Sequence, residues 1–184
     1  MNIANKLTIL RIVLIPFFIL CFYLDVLDQS FIIAGFYTTY ANITGLLIFS
    51  AAAATDWLDG YLARKLDLVS DFGKFMDPLA DKMLTTAAFL IFINQGLLAS
   101  WIVFIILTRE FIVSGLRMTA ASKGIVIAAG WSGKFKTVLQ FSAIIALLIH
   151  PELTILNAAL IYAMTIATVV SGAEYVIKNM NVFK

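Results

Sequence analysis

The chain has 184 residues, 62% hydrophobic and 13% charged, with a mean hydropathy of +0.98 and a formal net charge of +2. Soluble domains carry roughly 45–50% apolar and about 25% charged residues, so the composition excludes an ordinary soluble fold and predicts one membrane domain over residues 1–184, its surplus apolar surface facing lipid. So small a net charge argues against nucleic acid as a partner, and a single cysteine excludes an internal disulfide.

Six apolar stretches approach the roughly 20 residues that span a bilayer. All are predicted as helices, because open strands leave their backbone unpaired in lipid and no segment alternates like a barrel strand. The first, Leu7–Tyr23, holds Cys21 as an inert packed or lipid-facing thiol. It has Arg11 inside its apolar run and no small-x-small pattern after it, so it reads as a retained helix rather than a signal peptide. The second, Asn42–Lys65, ends in a polar extension. The third, Pro78–Ile93, is expected to start at Pro78, which suits a first helical position. Leu97–Thr119, Lys134–Ile149 and Leu153–Ile177 complete an all-α membrane protein of six transmembrane helices. The loops Asp25–Ala41, Asn94–Leu97 and His150–Glu152 lack Lys and Arg, which gather in the N-terminus, Arg64–Lys82, Arg117–Lys136 and the C-terminus. Both termini are therefore expected in the cytoplasm. His150 stands alone in an outer loop, while Phe17, Phe18 and the aromatics of Tyr37–Tyr40 suit packing or the interfacial belt.

Ionisable residues within spanning helices are costly and functional by default. Asp56 and Asp59 stand at i and i+3 on one helical face, and Asp77 and Asp81 at i and i+4 at the start of the next helix. Because one helix descends to the cytoplasm as the other returns, the four carboxylates are expected to converge at the inner membrane boundary. Oxygen ligands without Cys or clustered His select hard cations, Mg²⁺ or Mn²⁺ where substrate phosphates complete the shell. Two such ions would clamp an in-line displacement at phosphorus. Gly60 and Ala63 continue the face of Asp56 and Asp59 and leave a slot for a flat pyrimidine, Arg64 offers donors to a phosphate, and Gly73 permits close approach.

The stretch Asp56-Trp57-Leu58-Asp59-Gly60-Tyr61-Leu62-Ala63-Arg64, then Gly73, Asp77 and Asp81, fits D-x-x-D-G-x-x-A-R-x8-G-x3-D-x3-D without departure, eight specified residues over 26 positions. It resembles the signature of the CDP-alcohol phosphotransferases. That resemblance implies six transmembrane helices with a cytoplasmic-side active site, and a homodimer in a bacterial cytoplasmic membrane. It also implies roles: Asp56 and Asp77 bridging two divalent cations, Asp59 holding the first, Asp81 touching the second and acting as general base, and Gly60, Arg64 and Ser70 contacting the CDP part of the donor, with CMP as product. The opening Asn5-Lys6-Leu7-Thr8-Ile9-Leu10-Arg11 resembles the N-x-L-T-x-x-R start of the phosphatidylglycerophosphate and cardiolipin synthase branches, which implies that Asn5 and Thr8 lie beside the CDP-diacylglycerol site. Thr108–Arg117 and Ser171–Tyr175 resemble the phosphatidylglycerophosphate branch, whose acceptor is glycerol 3-phosphate.

An anionic acceptor agrees with the charges. Arg109 and Arg117 are only about 80° apart on an ideal helix and, with Lys134, could form a pocket for the acceptor phosphate. Lys123 and Lys136 read as ordinary cytoplasmic-side charge. Arg109 is too deep for that; a pair with Glu110 is possible, though adjacent helical residues point apart, and a partner on another helix is the better structural explanation. Cardiolipin, phosphatidylserine or phosphatidylinositol-phosphate synthesis remain alternatives within the class, and a divalent-cation transporter is the alternative outside it.

Overall fold

The computed structural model describes residues 3–33, 35–65, 71–125, 127, 130–151 and 153–180. Among the described residues there are six long helices: α1 (Ile3–Cys21), α2 (Tyr40–Lys65), α3 (Asp71–Asn94), α4 (Ser100–Ser122), α5 (Trp131–Ile149) and α6 (Thr154–Lys178). Between α1 and α2 lie a 3-10 turn, Asp25–Leu27, and a short antiparallel hairpin of β1 (Ser30–Ile33) and β2 (Phe36–Thr39), which pairs Ser30 with Thr39 and Ile33 with Phe36. The hairpin was not expected. Its strands are rich in β-branched and aromatic residues around Gly35, whose φ of 87° suits a tight turn.

The helices follow the predicted spans to within about three residues, except at the starts of α1 and α3. Both α1 and α3 begin earlier than their apolar runs, and Pro78, expected at the first position of its helix, lies inside α3. The segment Asp71–Asp77 is polar enough to escape a hydropathy reading yet contains no helix breaker other than Gly73. Pro78 has no amide hydrogen for the carbonyl four residues earlier, so α3 accommodates a break in its hydrogen-bond ladder one residue after Asp77.

The chain forms two compact units, one from Met1–Asn94 with Leu148–Glu152 and one from Gln95–Leu147 with Leu153–Lys184. In the first, α1 and α2 run antiparallel: Phe18 packs near Phe49, with ring centroids 6.2 Å apart, and Phe22 lies over Gly45, where a Cβ would come within 2.6 Å of its ring. Glycine thus lets the helices close. Cys21 is buried and donates to the Phe17 carbonyl, so it is a packed thiol. The Phe36 ring lies tilted against His150, with centroids 4.4 Å apart, so His150 has a packing contact. In the second unit α4 and α6 run parallel around Val113, Leu116, Ala120 and Tyr175.

The polarity of these helices is inverted. On α1 the buried face includes Thr8 and Arg11, while Leu10, Val13, Phe17 and Leu20 are exposed. On α6 the buried face includes Asn157, Thr165, Thr168 and Ser171, while Ile155, Leu156, Tyr162, Ile166 and Val169 are exposed. An apolar exterior over a partly polar interior suits lipid rather than water. Trp131–Ile149 and Thr154–Lys178 are each long and apolar enough to cross a bilayer.

Candidate active site

In the first unit, two signature carboxylates are held from one face of α1. Thr8 and Arg11 stand at i and i+3, so their side chains leave the helix together, and both are buried. The Thr8 hydroxyl donates to Asp77 Oδ1 on α3 at 2.6 Å. Arg11 Nη1 lies 2.9 Å from Asp56 Oδ1 on α2, and its Nε donates to the carbonyl of Ala52, one turn before that aspartate. The guanidinium is fully buried, whereas the Asp56 side chain is 48% exposed. Arg11 is thus fixed to the helix backbone while the carboxylate keeps an open side.

Asp81 lies one turn beyond Asp77 on α3 and is half-buried, and the hydroxyl of Thr85 anchors to the carbonyls of Asp81 and Lys82. Asn5 is buried one turn before Thr8. The backbone of Asp59, Gly60, Ala63 and Arg64 belongs to α2, but their side chains, and Ser70 altogether, lie outside the described residues. Among the described residues no three His, Cys, Asp or Glu side chains close on one point, so Asp56, Asp77 and Asp81 do not by themselves form a cage. The donor chemistry nevertheless suits a hard divalent cation: the groups that α1 gathers are carboxylates, one of them half open to solvent.

Arg11 is the residue that the sequence reading left without a role. The signal was present, since an arginine inside an apolar helix is expected to have a buried partner.

In the second unit, Arg109 Nη1 donates to Glu110 Oε1 at 3.0 Å and its Nη2 to Ser171 Oγ at 3.2 Å. Both explanations weighed for Arg109 therefore apply together, because its long side chain turns along α4 to meet its sequence neighbour and still reaches α6. Lys136 of α5 also binds Glu110 Oε1 and is 6% exposed. This corrects its reading as ordinary cytoplasmic-side charge: sequence position alone gives no sign that Lys136 points inward. Arg117 Nε donates to the Tyr175 hydroxyl at 3.0 Å, with the guanidinium 5.4 Å from that ring. Ser171 and Tyr175 are one turn apart on α6, so Arg109 and Arg117 both face that helix. Lys134 is exposed and lies 5.2 Å from the Trp131 ring.

An oxygen-ligand signature on α2 and α3, with two arginines of α4 bonded to α6, defines a class. Residues 1–171 match the CDP-alcohol phosphatidyltransferase family, and the chain belongs to that family. The chain is 43% identical to the CDP-diacylglycerol–glycerol-3-phosphate 3-phosphatidyltransferase of Bacillus subtilis (strain 168), over 100% of this chain and 97% of that one. It is 41% identical to the protein of the same name from Haemophilus influenzae, covering 95% and 91% of the two chains. With that of Escherichia coli K12 it shares 36% identity over 95% and 92%.

Proposed function

We propose that the protein transfers the phosphatidyl group of CDP-diacylglycerol to glycerol 3-phosphate, giving phosphatidylglycerophosphate and CMP in phospholipid synthesis. The observation that carries the acceptor choice is the placement of Arg109 and Arg117 on one side of α4, each tied to α6. Such a pair suits a phosphate-bearing alcohol better than serine. The names of the relatives, matched over nearly the whole chain, support the same acceptor.

In this reading, Asp56, Asp59, Asp77 and Asp81 hold two divalent cations, Mg²⁺ or Mn²⁺, which when bound supply Lewis-acid polarisation of the donor diphosphate. Thr8 and Arg11 fix the orientation of Asp77 and Asp56. Gly60, Ala63, Arg64, Ser70 and Asn5 line the CDP-diacylglycerol side, to which the Thr8 hydroxyl adds by holding Asp77. Arg109, Arg117 and Lys134 receive the acceptor phosphate. Asp81 accepts the proton of the acceptor hydroxyl as its oxygen bonds to the phosphorus carrying diacylglycerol. The bond from that phosphorus to CMP breaks, and CMP departs with the electron pair.

The same reading places all six helices across a bacterial cytoplasmic membrane as one domain, with the termini and active site on the cytoplasmic side and the protein a homodimer. The decisive experiment is CMP release by purified protein given CDP-diacylglycerol and Mn²⁺ or Mg²⁺, with glycerol 3-phosphate, serine, inositol phosphate or phosphatidylglycerol as acceptor. Release with glycerol 3-phosphate alone is expected. Release with another acceptor instead would overturn the acceptor assignment, and silence with all four would overturn the transferase reading.

A further inference from the structure

We propose that Arg11 is a positioning residue that sets the affinity of the aspartate cluster for divalent cations, acting as a fixed positive charge against which any metal at Asp56 must bind. The proposal rests on the metal-binding reading of the four aspartates, in which Arg11 orients Asp56, and adds to that role an effect of its charge on metal affinity.

Three features of Arg11 argue for it. The guanidinium is fully buried, so water does not screen its charge. Its Nε is bonded to the Ala52 carbonyl, which ties the group to the backbone of the helix that carries Asp56 and prevents it from swinging clear. Its Nη1 lies at ion-pair distance, 2.9 Å, from Asp56 Oδ1 without hydrogen-bond geometry, so the contact is chiefly electrostatic, and this half-exposed carboxylate keeps an open side where a cation could bind.

A divalent ion on Asp56 would lie within a few ångströms of the guanidinium, and at that range repulsion between a single and a double charge outweighs a typical hydrogen bond even at an effective dielectric constant of about 20. The pair therefore works in two directions. Arg11 aims the carboxylate and offsets one of the four negative charges, and it also weakens the grip of the cluster on metal. The diphosphate of the donor supplies the negative charge that balances Arg11, so metal and donor should favour each other at this site.

The test is direct Mn²⁺ binding to the purified full-length protein without substrate, read by electron paramagnetic resonance of the free ion. Wild type, Arg11→Met, Arg11→Lys and Asp56→Asn would be compared. Methionine fills the buried volume without charge, and Asp56 is exposed enough for solvent to take over its partner's role. Arg11→Met is expected to bind Mn²⁺ at least about tenfold more tightly than wild type, a figure discounted from the bare Coulomb term for the exposure of Asp56. Arg11→Lys should stay within about threefold of wild type, because the charge remains. Equal or weaker binding by Arg11→Met, with wild type binding and Asp56→Asn impaired, would overturn the role of Arg11 alone. If wild type fails to bind Mn²⁺, or Asp56→Asn binds as well as wild type, the metal-binding reading falls and this proposal with it. If Arg11→Met does not elute as a monodisperse protein, Arg11→Gln replaces it under the same criteria.

Discussion

Gly172 lies against the aliphatic stem of Arg109: a Cβ on the glycine would sit 2.7 Å from Arg109 Cγ, closer than carbon atoms pack. Adding one methyl group in Gly172→Ala must therefore move the arginine away from Ser171. The expected result is a KM for glycerol 3-phosphate raised about tenfold, equivalent to roughly 1.4 kcal/mol, with the KM for CDP-diacylglycerol changed by less than about twofold. Steady-state kinetics with each substrate varied in turn would check this, and equal effects on both would show that Arg109 does not serve the acceptor.

Lys136 and Glu110 form a largely buried pair. Removing the acid alone leaves the ammonium without its carboxylate, a loss of about 3 kcal/mol for a pair this enclosed. Glu110→Gln should accordingly lower the thermal midpoint of the solubilised protein by several degrees, and Glu110→Gln with Lys136→Met should recover part of that loss. Thermal unfolding of both single variants and the double variant measures the coupling directly; a double variant whose loss equals the sum of the two single losses would show that the pair contributes no coupling.

Asp81→Asn keeps the shape of the side chain while removing its capacity to take a proton. Turnover should fall by at least about a thousandfold, near the upper range for loss of a general base, with the fold preserved. Retained CMP release in a correctly folded variant would remove Asp81 from that role.

Asp28 follows the 3-10 turn Asp25–Leu27 and is exposed, whereas Cys21 is buried. A cysteine at position 28 should react with an impermeant maleimide added outside intact cells. Reaction only after permeabilisation would invert the proposed topology.

The helices were legible because each carries an apolar run of nearly bilayer length, and the four aspartates drew notice as candidates because charge inside such runs demands a reason. Where the structure went further, the missing information was directional. Hydropathy cannot see that the polar turn and a half before Asp77 remains helical, so α3 was expected to begin at Pro78. A search for barrel strands overlooks a hairpin of four residues a side, such as Ser30–Ile33 with Phe36–Thr39. Spacing placed Arg109 and Arg117 on related faces, as their bonds to Ser171 and Tyr175 agree. Burial of Lys136, by contrast, depends on the rotation of α5, which two lysines at i and i+2 leave open.

The burial of Arg11 also bears on how the chain is made. In the proposed topology α1 leaves the ribosome first, with an arginine in its apolar stretch that costs roughly 2.5–3.5 kcal/mol to insert near the bilayer centre. The partners of that arginine, the Ala52 carbonyl and Asp56, are on α2 and are synthesised later. The first helix is therefore only weakly committed to the lipid until the second arrives, and the two should leave the translocon as a pair. In that topology the contact that aims Asp56 would also favour the pairing of α1 with α2, because the buried charge of Arg11 meets its partners only when the two helices meet.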